Sequence, residues 1–253
     1  MSGLPPSLDL FALLLIFARV GTVLMILPGF SAGYVSVRIR LLLALSISVL
    51  LTPVLADRLP GLPATPAALA LLVLCESLIG VFLGTVAAIL VAALQVAGTF
   101  GAFFLSLSNA LVQDPVADQQ TATLAGFFGT VGLVLIFVTD LHHLMLAAIV
   151  DSYRVFLPGV LPPLGDLAET IARQAAESVA LGLQMAAPFL IVTLVYHLGL
   201  GLLGRLMPQL PVFFFGLPAH IALQIWIMTL TLSGIMMVFL TRFAEGLAPF
   251  AAP

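Results

Sequence analysis

Seven ionisable side chains stand inside otherwise apolar runs: Arg19, Glu76, Asp140, His142, His143, Arg173 and Glu177. A charge at the centre of a bilayer costs about 2.5–3.5 kcal/mol on insertion scales, so each of these groups needs a partner or water. Arg173 and Glu177 are four apart on one helix face and can pair. Asp140 and His143 are three apart and can meet. Glu76, Asp140 and a histidine together could relay protons. The run Asp140-Leu141-His142-His143 offers too few donors in one place for a metal site, and none is expected. Polar groups satisfied at a helix or subunit interface are the plainer expectation, and Glu76, Asp140, His142, His143, Arg173 and Glu177 are accordingly expected to be buried. Ser, His and Asp occur without a recognisable nucleophile–base arrangement. Phosphate-binding and dinucleotide-binding glycine patterns are absent, so no catalytic residue and no cofactor is expected.

The elements that hold these groups must be membrane helices. Of 253 residues, 62 % are hydrophobic and 8 % charged. A soluble chain carries about 45–50 % apolar and about 25 % charged residues. Too little polar surface remains to cover a globule, which excludes a free soluble enzyme. All eight basic residues are Arg, and the net charge of −3 excludes a basic nucleic-acid binder. The single cysteine, Cys75, excludes an internal disulfide.

Apolar runs predict six helices, all-α, near 9–27, 39–56, 67–97, 121–150, 167–198 and 217–243. The runs end at punctuation such as Pro28-Gly29 and the Pro60–Pro66 stretch. The third and fourth, about 30 residues each, reach about 45 Å against a core of ~30 Å. Pro188 predicts a kink in the fifth. No basic region precedes the first run, and Asp9 and Arg19 flank or interrupt it, so it reads as a retained helix rather than a signal peptide. Arg38, Arg40 and Arg205 fall on one side of such a bundle, and Arg58, Arg154, Arg173 and Arg242 on the other. The positive-inside rule does not decide the orientation. Small residues recur on the third helix at Gly80, Gly84, Ala88 and Ala92, continue beside it at Ala93, Ala97 and Gly101, and recur on the fourth at Gly126, Gly129 and Gly132. They allow close helix packing within the chain or against another subunit.

Two segments between helices stand out. Residues 98–120 are apolar yet interrupted by Gly, Ser and Asn, and end near Asp114-Pro115. They form either a re-entrant or plugging segment, or a helix extension followed by a short turn. Residues 204–218 hold three prolines and two glycines among Met, Leu and Phe. That content argues against a regular helix there and for an apolar loop buried in protein or at an interface.

These residues carry a resemblance. Arg205-x-x-Pro208-Gln209 followed by Val212-Phe213 and Gly216-x-Pro218 is similar to the loop of the flagellar biosynthetic protein FliR family. Ala97-Gly98 with Asp114-Pro115, His142-His143 followed by Asp151-Ser152-Tyr153 and Leu157-Pro158, and Glu76 with Gly80 and Gly84 follow in the family's order. The chain departs from the family at Leu141, Pro211 and His220, which replace a usual Gly, Asn and basic residue. It departs again at Asn109, Leu111 and Val112, where phenylalanines are frequent.

The resemblance implies a non-enzymatic subunit of the type III protein export gate in the bacterial inner membrane, at the flagellar basal body. Its implied partners are P-type, Q-type and B-type export-gate subunits, a nearby A-type subunit, unfolded flagellar proteins in transit and membrane lipid, with no nucleic acid. Residues 1–166 would be a P-like part and 167–253 a Q-like helical hairpin around the Pro208-Gln209 loop. The family's helices pack largely in a cone above the usual membrane plane. A plug at about 105–116 would close the pore with Leu105, Leu107, Leu111 and Val112, with Ser108 and Asn109 as wettable elements and Asp114-Pro115 at its end. The loop with Arg205, Met207, Pro208, Gln209, Val212, Phe213, Gly216 and Pro218 would dock the B-type and Q-type neighbours. The equivalent subunit of a virulence-type injectisome is the first alternative. A proton-coupled transporter and a passive membrane scaffold are more distant ones.

Overall fold

The computed structural model describes residues 10–105, 115–207 and 212–250, and of 115–123 and 212–215 the backbone alone. The described residues form seven α-helices: α1 (Leu10–Ile26), α2 (Val37–Leu55), α3 (Pro66–Phe104), α4 (Pro115–Val138), α5 (Leu141–Val155), α6 (Leu164–Leu206) and α7 (Val212–Leu247). No strand occurs among them. Among the described residues, four helices are long and apolar enough to cross a membrane, and a bent α4–α5 pair makes a fifth candidate span.

Local chemistry sets the helix ends. After α1 the chain turns at Gly29, whose φ of 87° is open to glycine at little cost. Ser36 caps α2 by accepting from the Ile39 amide. The Arg40 guanidinium folds back to donate to the Ala32 and Val35 carbonyls, holding the α1–α2 loop. Thr65 caps α3 through the Ala68 amide, with Pro66 in the first helical position, where its missing N–H costs nothing.

Three expectations change. The fourth apolar run is two helices, because α4 and α5 meet at a 75° bend around Thr139-Asp140. Asp140 supplies the turn with φ 59°, a left-handed conformation that Asp tolerates better than most residues. Helix α3 continues to Phe104, beyond the expected end near 97, while 106–114 lie outside the described residues. The stretch 204–218 is mostly helical: α6 runs to Leu206 and α7 starts at Val212. Pro208 and Pro211 fall in the gap, and Pro218, inside α7, sacrifices one i→i−4 hydrogen bond.

The chain divides into two compact units. Residues up to Leu90, Phe137–Ala175 and those from Phe243 onward form one; Val91–Ile136 and Ala176–Arg242 form the other. In the first, the core is built from Leu15, Ile16, Val20 and Leu24 of α1, Ile79, Phe82 and Val86 of α3, and Ile149 and Tyr153 of α5. Phe82 meets Phe156 and Phe250 edge-on. Gly80 and Gly84 make α1 and α3 touch: a Cβ on Gly80 would lie 1.9 Å from Thr22 Oγ1, and one on Gly84 2.8 Å from Ile26 Cβ.

In the second unit the core is Leu94, Ala97, Phe128, Ile136, Met185, Phe189 and Phe239. Gly98 packs on the Ala125 backbone, and Gly182 on Val96. Of the α4 glycines, Gly132 packs against Leu94, while Gly126 and Gly129 face open space.

Much apolar surface is left over. The apolar stretch of α3 is 56 % buried but those of α2 and α7 only 22 %. On α2, Ile39, Leu42, Leu50 and Val54 are exposed; on α6, Ile191, Val195, Leu198 and Leu202. Such faces require lipid or protein to cover them.

Candidate functional site

Two polar nodes organise the described chain, one in each unit. In the first unit Arg19 of α1 is fully buried and ion-paired to the equally buried Glu76 of α3, Nε to Oε2 at 2.6 Å. Two more guanidinium contacts reach α5 and the turn beyond it: NH1 donates to Ser152 Oγ at 3.1 Å, and NH2 to the Phe156 carbonyl at 3.3 Å. Its carbon lies 3.8 Å from the centroid of the Tyr153 ring, a cation–π contact strengthened by the absence of water. One arginine therefore ties three sequence-distant elements, with Gly80 providing the close approach of α1 on α3 beside it. Glu76 Oε1 and the Tyr153 hydroxyl are buried with no hydrogen-bond partner.

In the second unit the end of α3 is held by α6 and α7. Thr193 donates its hydroxyl to the Phe104 carbonyl at 2.8 Å. That carbonyl belongs to the last turn of α3, where helix carbonyls lack intrahelical partners. Gln224 of α7 donates to Thr193 Oγ1 at 2.6 Å and to the Phe189 carbonyl at 3.1 Å, with His220 Nε2 3.3 Å away. The Tyr196 hydroxyl donates to the Gly216 carbonyl at 2.5 Å, and the His197 Nδ1–H to the Thr193 carbonyl at 2.8 Å. Gln224 and His220 are buried, so this is an internal strut rather than a solvated patch.

The residues expected from sequence fall as follows. Glu76 is buried as expected, but its partner is Arg19, 57 residues away, rather than Asp140 or a histidine.

Burial fails on the single chain for Asp140, His143, Arg173 and Glu177, which are exposed, and His142 is half-buried. Asp140 and His143 lie at the bend between α4 and α5, and Arg173 and Glu177 on an exposed face of α6. Arg173 and Glu177 form no ion pair with each other, whereas His143 Nδ1 stands 3.6 Å from Asp140 Oδ1.

Of the plug residues, Leu105 is buried, its amide bonded to the Gly101 carbonyl. Leu107, Ser108, Asn109, Leu111, Val112 and Asp114 lie outside the described residues, and Pro115 begins α4. In the second loop Arg205 and Met207 are exposed, Gly216 is buried and Pro218 is exposed on α7. Pro208 and Gln209 lie outside the described residues, and Val212 and Phe213 open α7 with their side chains outside them.

Sequence reasoning missed the Arg19–Glu76 pairing and the Gln224–Thr193 strut. A signal existed for the first. Once Asp140 is matched with His143 and Arg173 with Glu177, Arg19 and Glu76 are the remaining opposite charges inside apolar runs.

The described residues are helical, four of their helices are long and apolar enough to cross a membrane, and wide apolar faces stay exposed around buried polar nodes, which are the features of a polytopic membrane protein. Comparison with known proteins names the family. Residues 10–246 match the family described as bacterial export proteins, family 1. The flagellar biosynthetic protein FliR of Caulobacter vibrioides is 35 % identical over 250 residues, 99 % of this chain and 100 % of that protein. FliR of Bacillus subtilis is 31 % identical over 94 % of this chain and 92 % of its own length. FliR of Escherichia coli K12 is 29 % identical over 88 % and 83 %. The chain belongs to this family of bacterial export proteins, the family of FliR.

Proposed function

We propose that the chain is a FliR-type subunit of the flagellar type III protein export gate, seated in the bacterial inner membrane at the basal body. The observation that carries the reading is end-to-end similarity to FliR at 35 % identity. The exposed apolar faces of α2, α6 and α7 support it, since P-type and Q-type subunits would cover them in a helical conduit for unfolded flagellar proteins. The subunit performs no catalysis; its work is to wall and close the conduit, with an A-type subunit nearby.

Within the chain, residues 1–166 correspond to a P-like part and 167–253 to a Q-like hairpin. Residues about 105–116 serve as the plug. Leu105, Leu107, Leu111 and Val112 exclude ions, and Ser108 and Asn109 let an exported chain displace the segment. The strut from Thr193 to the Phe104 carbonyl supports this reading by fixing the helix end that enters the segment. The 205–218 region docks the B-type subunit and Q-type neighbours through Met207, Gln209 and Phe213.

A chromosomal deletion should abolish motility and hook and filament export, both restored by the intact gene; persisting export refutes the assignment. Deleting 106–114 should leave the complex assembled and raise its ion conductance in planar bilayers, and unchanged conductance removes the plug. Gln209→Asp or Phe213→Asp should abolish recovery of the complex, and normal co-purification removes the docking role.

A further inference from the structure

The α4–α5 corner changes the expectation that the Asp140-Leu141-His142-His143 run holds no metal site. Asp140, His142 and His143 each offer one ligand atom, and these three atoms lie within 4.8 Å of one another. Their arrangement follows from the backbone. Asp140 sits in the left-handed region at φ 59° and precedes α5, yet its carboxylate makes no capping bond to that helix. It stands instead beside His143, with Oδ1 3.6 Å from Nδ1, too far for a good hydrogen bond. The His142 ring is stacked on Phe137 with centroids 5.0 Å apart, and lies 4.1 Å from the His143 ring. His142 Nδ1 is buried and has no hydrogen-bond partner. A buried ring nitrogen left unpaired keeps its desolvation penalty uncompensated, and the stacking on Phe137 restrains the ring.

We propose that Asp140, His142 and His143 form a binding site for a divalent transition-metal ion of the zinc class. The donor set decides the class. Two imidazoles and one carboxylate suit zinc and its first-row neighbours, whereas calcium and magnesium take all-oxygen shells. The spacing agrees. Donors about 2.0–2.1 Å from a tetrahedral ion lie about 3.3–3.4 Å from each other. The Asp140–His143 separation is within a few tenths of an ångström of that. The other separations are at most 4.8 Å, and the side chains of Asp140 and His143, 77 % and 70 % exposed, have open space into which to turn. Three protein ligands leave at least one coordination position for water or a donor from another molecule. Binding draws the residue preceding α5 onto its first turn and so stiffens the 75° corner.

The test uses tag-free full-length protein, purified in detergent and stripped with chelator, and Zn2+ as the probe. Metal analysis after gel filtration should find one zinc per chain, and titration calorimetry a single saturable site. Asp140→Asn and His143→Ala remove exposed side chains, so helicity and elution volume should not change. Each should weaken zinc binding by more than the about 10–100-fold that loss of an outer-shell partner costs. Absence of stoichiometric zinc in the wild type overturns the proposal. So does wild-type affinity in either variant, which would place the ion elsewhere, for instance at the His197–His220 pair, whose rings are 5.1 Å apart.

Discussion

Replacing Glu76 by Ala isolates the energetics of the first polar node. Both charged side chains are fully shielded from solvent, so the truncation leaves the Arg19 guanidinium buried without its counter-charge. What remains to it is Ser152 Oγ, the Phe156 carbonyl and the Tyr153 ring. These are neutral dipoles and a quadrupole, worth about 2 kcal/mol or somewhat more for a desolvated ring contact. Breaking a buried pair by removing one partner costs about 3–5 kcal/mol. At about 1.4 kcal/mol per factor of ten, Glu76→Ala should shift the folded-to-unfolded ratio by about two to four orders of magnitude. The double replacement Arg19→Met with Glu76→Met removes both charges and keeps side-chain volume, so it should recover most of that loss. The assay is chemical unfolding in mild detergent, followed by far-UV circular dichroism of the helices, with membrane abundance as a cellular readout. A Glu76→Ala variant as stable as wild type refutes the reasoning. So does a double variant no better than the single one, because the cost would then lie in packing rather than in an orphaned charge.

The glycines separate by what a methyl group would meet. Gly80→Ala drives a Cβ to 2.6 Å from the Arg19 carbonyl and should cost about 1–3 kcal/mol by overpacking. Gly129→Ala meets nothing within 4 Å and should be neutral or gain up to about 1 kcal/mol of helix propensity; thermal unfolding of the two side by side checks the contrast. Thr193→Val removes the donor to the Phe104 carbonyl at nearly constant volume. It should cost about 1–3 kcal/mol and speed hydrogen exchange in the last turn of α3, and unchanged exchange there refutes the strut.

The helices were legible because their signal is local. Runs of apolar residues and the caps Ser36 and Thr65 act over one or two turns. The α4–α5 corner was not legible, since no Pro or Gly stands at Thr139-Asp140 and hydropathy continues across it. An Asp able to adopt a left-handed conformation is a weak signal when it sits inside an apolar run. Between the described helices, α6 runs to Leu206 and α7 already begins at Val212, inside the stretch expected to be loop, because a proline near a helix start costs only one hydrogen bond. Arg19, Glu76 and His142 could be flagged as unusual from sequence. Their partners could not, because tertiary contacts across 57 and 133 residues leave no periodic trace. Exposure of Arg173 and Glu177 is a property of one chain without neighbours, which composition alone does not report.

The Arg19 node also has a consequence for biosynthesis. Helix α1 is 17 residues long and carries an arginine that lipid would penalise. Its acidic partner is made 57 residues later, and its last hydrogen-bond acceptor, the Phe156 carbonyl, 137 residues later. At about 5–20 residues per second the cation waits about 3–11 s for Glu76 and about 7–27 s for the completed node. Through that interval α1 is poorly suited to leaving the insertion machinery alone. Helix α1 must be retained there, or shielded by another protein, until α3 and then α5 arrive to receive it.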